Sequence, residues 1–225
     1  ALIEKGFQVH ISVQLLRQLP SILRKSEWKV TLVVVGQELV CVEPGDTTKH
    51  SYGLAFDIGT TTVVGILIDL NTGAVMAADS ALNKQSVHGA DVISRISHSM
   101  LEKDGIDQLN QAILSTLDSL IKKLLREAKV KAFSVYELVA TGNATMLHLF
   151  LGLDPEPIGV TPFIPTIQDH LTVSAREIPL SIHPQAQVQL LPHIGAYVGA
   201  DLTSGILATG LAQKEEVRLL VDVGT

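Results

Sequence analysis

A chain of 225 residues with 46% hydrophobic and 18% charged residues has the composition of an ordinary globular protein of one domain or two modest ones. The formal net charge of −6 argues against a general nucleic-acid binder, because such proteins usually carry a basic face. No apolar run is long enough to span a bilayer, and one cysteine, Cys41, can form neither an internal disulfide nor a zinc or iron–sulfur site. A reducing cytoplasm is the expected location.

The first fifty residues predict a small α+β unit. Its elements are an amphipathic helix interrupted near a proline and two strands joined by a tight turn: residues 10–25 with Pro20, and residues 28–35 and 38–42. The polar stretch "EPGDTTKHS" that follows is the clearest linker in the chain. We expect a domain boundary near residue 50.

Beyond this boundary, the sequence predicts a hairpin of three strands and then alternating helices and strands. The segments are strands 52–58, 63–70 and 74–81, helices 88–100 and 106–128, strand 134–142, helix 144–152, strand and loop 188–199, helix 200–211 and strand 217–225. Residues 152–187 carry six of the nine prolines and are expected to be irregular, with short strands. This order predicts an α/β fold with a mixed sheet covered by helices.

Two apolar strands are predicted to end in the same short motif. "FDIGTTT" at 56–62 and "VDVGT" at 221–225 align at an offset of 165 residues, which places Asp57 on Asp222 and Gly59 on Gly224. A motif that starts over in this way indicates internal duplication. We therefore expect a second, incomplete copy of the first unit to begin near residue 217.

The residue types of this motif suit a polyphosphate. Glycine lets the backbone approach closely, the following N–H groups can form an anion-binding nest, and threonine hydroxyls add donors, although strand alternation turns at least one of them away. The residues expected to bind the polyphosphate together with its cation are Gly59, Thr60, Thr61, Thr62, Asp222, Gly224 and Thr225. Asp57 and Asp222 would repel phosphate, so they require a cation such as Mg²⁺, held through water. The alternative is a turn with good local hydrogen bonding, which the second copy makes less favourable.

The pattern resembles the actin-like ATPase superfamily, which includes sugar kinases and heat-shock chaperone ATPases. Asp57-Ile-Gly-Thr-Thr matches its first phosphate motif, and Asp222-Val-Gly-Thr matches the start of its second. The resemblance implies a ribonuclease-H-like half with ATP and Mg²⁺ in the cleft between two halves. In the register of the chaperones, Asp201 takes the place of a glutamate that helps to position Mg²⁺ and the attacking water. The alternative for Asp201 is a helix cap.

Four longer strings are similar to the reductive activators of corrinoid proteins. They are "YGLAFDIGTTTVVGILIDLNTG", "ALNKQSVHGADVISRI", "ATGNATMLHLFLG" and "GADLTSGILATGL". The resemblance implies an enzyme that uses ATP to restore Co(I) from Co(II) in a partner corrinoid protein of a methyltransferase system. Complete members carry an N-terminal iron–sulfur domain, which this sequence lacks; whether the protein is a homodimer is left open.

The resemblance also implies that the chain is part of a longer protein. We expect residues 1–50 to be the tail of a middle domain plus a linker, residues 51–216 to be the first ATPase half, and residues 217–225 to be the first strand and phosphate loop of the second half. The two phosphate loops, one from each half, are expected to clamp the polyphosphate from both sides. Because half of this clamp is missing, the isolated chain should bind ATP weakly and hydrolyse it negligibly. Two other functions stay open: a sugar or small-molecule kinase, and a non-catalytic module that docks a corrinoid partner.

Several further residues allow two interpretations each. Asn143 follows a strand and either caps a helix or contacts nucleotide or a partner across the cleft. Asp91 and Arg95 have the spacing of an i,i+4 ion pair. His148 is expected to be packed or partly exposed and not to bind cobalt, and Gly195 and Gly199 allow either close backbone approach or turns.

Overall fold

The computed structural model describes residues 8–213 and 215–222, and its first unit is a three-stranded sheet with one helix. The elements are β1 (His10–Ile11), α1 (Val13–Lys25), β2 (Val30–Val35) and β3 (Glu38–Pro44), and the strand order is β1-β3-β2. Helix α1 runs through Pro20 without the interruption expected from the sequence. Pro20 and Leu16, whose carbonyl loses its helical donor, are both exposed, so water can take the donor's place.

The second unit is built on a six-stranded mixed sheet. Its strands are β4 (Tyr52–Ile58), β5 (Thr62–Asp69), β6 (Val75–Leu82), β7 (Val135–Gly142), β8 (Leu171–Ser174) and β9 (Gln187–Leu190). The order is β6-β5-β4-β7-β9-β8, with β4, β7 and β9 parallel and all other pairs antiparallel. An antiparallel hairpin of three strands followed by parallel strands on the other side of β4 is the ribonuclease-H-like arrangement, which confirms the predicted fold class.

Five helices accompany this sheet. They are α2 (Val92–Leu101), α3 (Gly105–Ala128), α4 (Ala144–Leu151), α5 (Glu156–Gly159) and α6 (Ala200–Thr209). Helix α3 buries its apolar face against β5 and β6, and α4 and α6 contact β7. Helix α2 begins at Val92 and not at His88, because Asp91 caps it and residues 84–87 form a separate 3₁₀ turn. Among the described helices, none combines the length and the apolar character needed to cross a membrane.

The two faces of β4 differ in a way that places the candidate site. Leu54, Phe56 and Ile58 are buried in the core, and Phe56 lies across Gly65 of β5, where a Cβ atom would come within 2.3 Å of the ring. Asp57 points to the opposite face, where a groove of about 270 Å³ crosses β4, β5 and β7. Strand alternation therefore directs the carboxylate into an open groove while its neighbours hold the strand in place.

In the described part of the strand predicted at 217–225, which is residues 217–222, no strand forms. Residues 217–222 pair with no strand among the described residues, and Val217, Leu219 and Val221 are exposed. A strand requires hydrogen bonds to a neighbouring strand, and these residues add to neither described sheet. Gly224 and Thr225, expected to hold phosphate, lie outside the described residues.

Candidate functional site

The candidate site is the loop between β4 and β5, at the carboxyl end of β4. Gly59 opens this loop, and a Cβ atom on it would lie only 2.4 Å from the Thr62 carbonyl oxygen. Real Cβ atoms do not approach so closely, so the tight return of the chain depends on glycine. Thr61 and Thr62 are exposed, and Thr60 is half-buried.

Three successive carbonyl oxygens of the loop are held from one side. The Gly59 oxygen accepts from Asn83 Nδ2 at 2.9 Å, the Thr60 oxygen from Arg95 Nη2 at 2.6 Å, and the Thr61 oxygen from the Asn83 backbone N–H at 2.8 Å. In a trans peptide the N–H points away from the preceding carbonyl oxygen. The N–H groups of residues 60–62 are therefore directed away from Asn83 and Arg95, as an anion-binding nest requires.

Asn83, Gln85 and Arg95 form a buried polar platform beneath the loop, and all three side chains are fully buried. Asn83 Nδ2 lies 3.2 Å from Gln85 Oε1, and Gln85 Nε2 donates to the Leu109 carbonyl oxygen at 3.0 Å. Sequence reasoning did not single out Asn83 or Gln85. The available signal was the family-like string around them, since buried polar side chains are normally hydrogen-bonded to something specific.

Asn143 caps helix α4, which is one of the two interpretations that the sequence left open. Its Oδ1 accepts from the Met146 N–H at 3.0 Å and so caps α4, which confirms the helix cap. Its Nδ2 donates to Thr60 Oγ1 at 3.1 Å. The side chain thus connects the start of α4 to the loop.

Asp201 lies in the first turn of α6 and does not cap that helix. The N-cap residue is Gly199, and the Asp201 carboxylate accepts from the adjacent Leu202 N–H at 2.9 Å. A Cβ atom on Gly199 would lie 2.7 Å from the Asn143 Cα atom, so this glycine permits close approach of α6 to α4. Gly195 has open space around it and belongs to a turn that pairs with Val198.

Three carboxylates share one electrostatic environment. The pKa of Asp57 is raised, first because the groove partly desolvates the carboxylate and then because Asp201 and Asp222 are negatively charged neighbours. Within residues 8–213 and 215–222, no three His, Cys, Asp or Glu side chains lie close enough to ligate one metal ion together. The mutual repulsion of these three carboxylates would be relieved by a cation that keeps part of its water shell, as Mg²⁺ does.

The expected ion pair between Asp91 and Arg95 is wrong. The Asp91 carboxylate accepts from the Ser94 N–H at 2.7 Å, and Ser94 Oγ accepts from the Asp91 N–H at 3.1 Å, which forms a capping box. Arg95 instead points inward to the polar platform. The ion pair does not form because the Asp91 carboxylate caps α2 and the Arg95 guanidinium donates to the Thr60 carbonyl oxygen.

His148 is packed as predicted. Its Nδ1 lies 2.7 Å from the Ala144 carbonyl oxygen, and its Nε2 accepts from the Thr166 N–H at 2.9 Å. Both ring nitrogens are thereby used by the backbone, and the ring is the neutral tautomer with the proton on Nδ1. Burial also lowers the pKa of His148 below its ordinary value, which favours the neutral ring. A structural role follows, with no free nitrogen for a metal.

Comparisons with known proteins identify the family of the chain. The profile described as the RACo middle region matches residues 52–214, and the RACo linker region matches residues 1–49. A corrinoid activation enzyme RamQ from Eubacterium limosum is 37% identical over 198 residues, which are 88% of this chain and 33% of that protein.

A solved structure titled reductive activator for corrinoid, iron–sulfur protein superposes with a TM-score of 0.89 at 37% identity. The match covers 96% of this chain and 35% of that one, so this chain spans about a third of the length of both relatives. Together the two profiles match nearly all of the sequence. The chain therefore belongs to the RACo family, and it comprises that family's linker and middle regions.

Proposed function

We propose that the protein carrying this chain is an ATP-dependent reductive activator, which restores Co(I) from Co(II) in a corrinoid protein of a methyltransferase system. The observation that carries the proposal is the loop at residues 59–62. Its carbonyl groups are held from beneath and its N–H groups are directed outward, in a chain of the RACo family. The two relatives are named for the activation of corrinoids, and we extend that activity and a corrinoid partner to this protein.

The described residues fit Mg·ATP as the nucleotide substrate. The loop N–H groups and the hydroxyls of Thr60 and Thr61 would hold phosphate oxygens. Asp57 and Asp222 would hold Mg²⁺ through water, and bound Mg²⁺ would neutralise phosphate charge and align the polyphosphate. Asp201, half-buried at the start of α6, would orient the water that attacks the terminal phosphate. Gly224 and Thr225 would complete the clamp from the second half.

ATP is needed because the electron transfer is uphill. One electron from a low-potential donor converts Co(II) to Co(I), and each ~59 mV of uphill one-electron transfer costs about 1.4 kcal/mol. Hydrolysis of ATP to ADP and phosphate supplies that free energy when it is coupled to a change in the complex. We place the donor, an iron–sulfur cluster, in a further domain of the full-length protein, and the reaction in a reducing cytoplasm.

The test uses the full-length protein, a low-potential reductant and the corrinoid protein of its own methyltransferase system. We expect the Co(II) absorbance to convert to that of Co(I) with ATP, and not with ADP or without nucleotide. A conversion that proceeds equally without ATP would contradict the proposal. Phosphorylation of a sugar with no effect on cobalt would favour the kinase instead.

The 225-residue chain alone gives a second test. Since it carries the first loop and spans about a third of the length of its two relatives, we expect only weak binding of Mg·ATP and negligible hydrolysis. Isothermal calorimetry measures the binding directly. Micromolar affinity of the isolated chain would contradict a clamp that needs both halves.

A further inference from the structure

Arg95 is a buried cation whose contacts are all uncharged. The side chain has 0% exposure, and its three donor nitrogens reach the Gly89 carbonyl oxygen at 3.0 Å, Gln85 Oε1 at 3.1 Å, Met146 Sδ at 3.0 Å and the Thr60 carbonyl oxygen at 2.6 Å. Among the described residues, no carboxylate lies within 4 Å of the guanidinium. Burying a charge without a counter-ion is unfavourable, so this arrangement needs an explanation.

Holding the loop does not by itself require a charge. Asn83 holds the Gly59 carbonyl oxygen with a neutral amide at 2.9 Å, in the same platform and under the same loop. The nearest acid along the helix, Asp91, is engaged in capping α2. A neutral donor would therefore suffice at the Thr60 carbonyl if this hydrogen bond served only to hold the loop in place.

The Thr60 carbonyl belongs to the proposed phosphate loop, and the donor that holds it is the charged member of the platform. The guanidinium lies directly beneath the Thr60 carbonyl, and the outward face of the same loop is where phosphate oxygens would lie. A fixed cation in a low-dielectric interior acts on an anion more strongly than one in water does.

Resting on the proposed function, we infer that Arg95 is a positioning residue of the phosphate site, which fixes the Thr60 carbonyl and supplies a buried positive charge that bound polyphosphate balances. Its guanidinium hydrogen-bonds three neighbouring parts of the structure at once: the segment before α2 through Gly89, the platform through Gln85, and the loop through Thr60. A lysine in its place would keep the positive charge but not the planar set of donors that reaches all three parts.

The experiment compares Arg95→Gln, Arg95→Lys and Asn110→Ala in the full-length protein. Asn110 is the control, because its Nδ2 also holds two carbonyl oxygens, those of Leu149 and Phe150, but at the far end of α4. Calorimetry measures affinity for Mg·ATP and for adenosine, and thermal melting measures stability. We expect Arg95→Gln to weaken Mg·ATP binding about tenfold, the equivalent of one charge-assisted hydrogen bond.

Arg95→Lys should recover a large part of that loss, while Asn110→Ala should lower the melting temperature and leave nucleotide affinity unchanged. Adenosine has no phosphate, so its affinity should not change in any variant. Equal affinity of Arg95→Gln and wild type for Mg·ATP would overturn the inference, as would Arg95→Lys no tighter than Arg95→Gln. An equal loss of affinity in Asn110→Ala would also overturn it.

If Arg95→Gln does not fold, Arg95→Lys decides the matter. A loss of Mg·ATP affinity at unchanged adenosine affinity supports the role, and wild-type affinity for both ligands overturns it. Failure of the wild type to bind Mg·ATP would refute the proposed function itself. Binding of Mg·ATP without reduction of the corrinoid would refute that function and leave the role of Arg95 intact.

Discussion

The chain contains the same aspartate-glycine-threonine motif twice, and the described residues that lead into the two copies differ in structure. Before the first motif, β4 pairs with β5 and β7, and the loop after it rests on the buried polar platform of Asn83, Gln85 and Arg95. Before the second motif, residues 217–222 pair with neither described sheet, and their apolar side chains are exposed. The difference teaches that the apolar run before the motif does not become a strand by itself, because a strand needs the hydrogen bonds of neighbouring strands.

The largest expected contrast is between the two residues that directly precede the aspartates. Phe56 is 2% exposed and Val221 is 67% exposed. In the 225-residue chain, Phe56→Ala should cost about 3–5 kcal/mol of unfolding free energy because a core ring is lost, whereas Val221→Ala should stay within about 0.5 kcal/mol. Urea unfolding measures both. A cost above 1 kcal/mol for Val221→Ala would show that residue 221 is packed, and would break the comparison.

Asp57→Asn tests whether the first loop is built for a cation. We expect ATP-dependent corrinoid reduction by the full-length protein to fall about 100-fold or more, because the amide cannot hold hydrated Mg²⁺ as a carboxylate does. Stability should rise slightly at pH 7, since a carboxylate disfavoured by desolvation and by two neighbouring acids has been removed. Turnover assays and thermal melts check the two effects; loss of both activity and stability would indicate a structural aspartate.

The pH dependence of that added stability gives a control within the same variant. The pKa of Asp57 is raised in the folded protein, so the folded state takes up its proton at a higher pH than the unfolded chain does. The penalty is fully present above the raised pKa and disappears as the pH falls from it towards the ordinary value of about 3.9. The advantage of Asp57→Asn should shrink over that window, and an advantage that grows on acidification would contradict the assignment.

Gly59→Ala tests how much of the loop depends on close approach of the backbone. The added methyl group would meet the Thr62 carbonyl oxygen at 2.4 Å, so the loop must move. We expect a stability cost of about 1–3 kcal/mol and a loss of Mg·ATP affinity of at least about tenfold. Gly195→Ala is the matched control, because its methyl group enters open space. Equal effects of the two substitutions would refute the steric account.

The sequence predicted those parts of the molecule that depend on local pattern. The hairpin of β4–β6, the long helix α3 and the glycine after β4 all follow from periodicity and turn chemistry. The platform could not be predicted in this way, because Asn83 and Arg95 are twelve residues apart in the sequence and meet only under the loop. The strand predicted near the end of the chain also depends on contacts distant in sequence. An apolar run at 217–221 forms a strand only where a neighbouring strand exists, and residues 217–222 have none among the described residues.

The smallest effect comes from comparing two helix caps, Asn143 and Asp91. Each side chain accepts the N–H of the third residue of its helix, at 3.0 and 2.7 Å, so substitution by alanine should cost about 1 kcal/mol in either case. Only Asn143 also donates to Thr60 Oγ1. Asn143→Ala should therefore weaken Mg·ATP binding by roughly threefold to tenfold, while Asp91→Ala should not, because one neutral hydrogen bond contributes about 1 kcal/mol.

Calorimetry on the full-length variants, alongside their melting temperatures, separates the cap from the contact with the loop. If both substitutions weaken nucleotide binding equally, the loop responds to general loosening of the helices around it. If only Asn143→Ala does so, α4 is coupled to the loop through Thr60. That coupling would show that the first loop depends on the helix beside it as well as on the strands that precede and follow it.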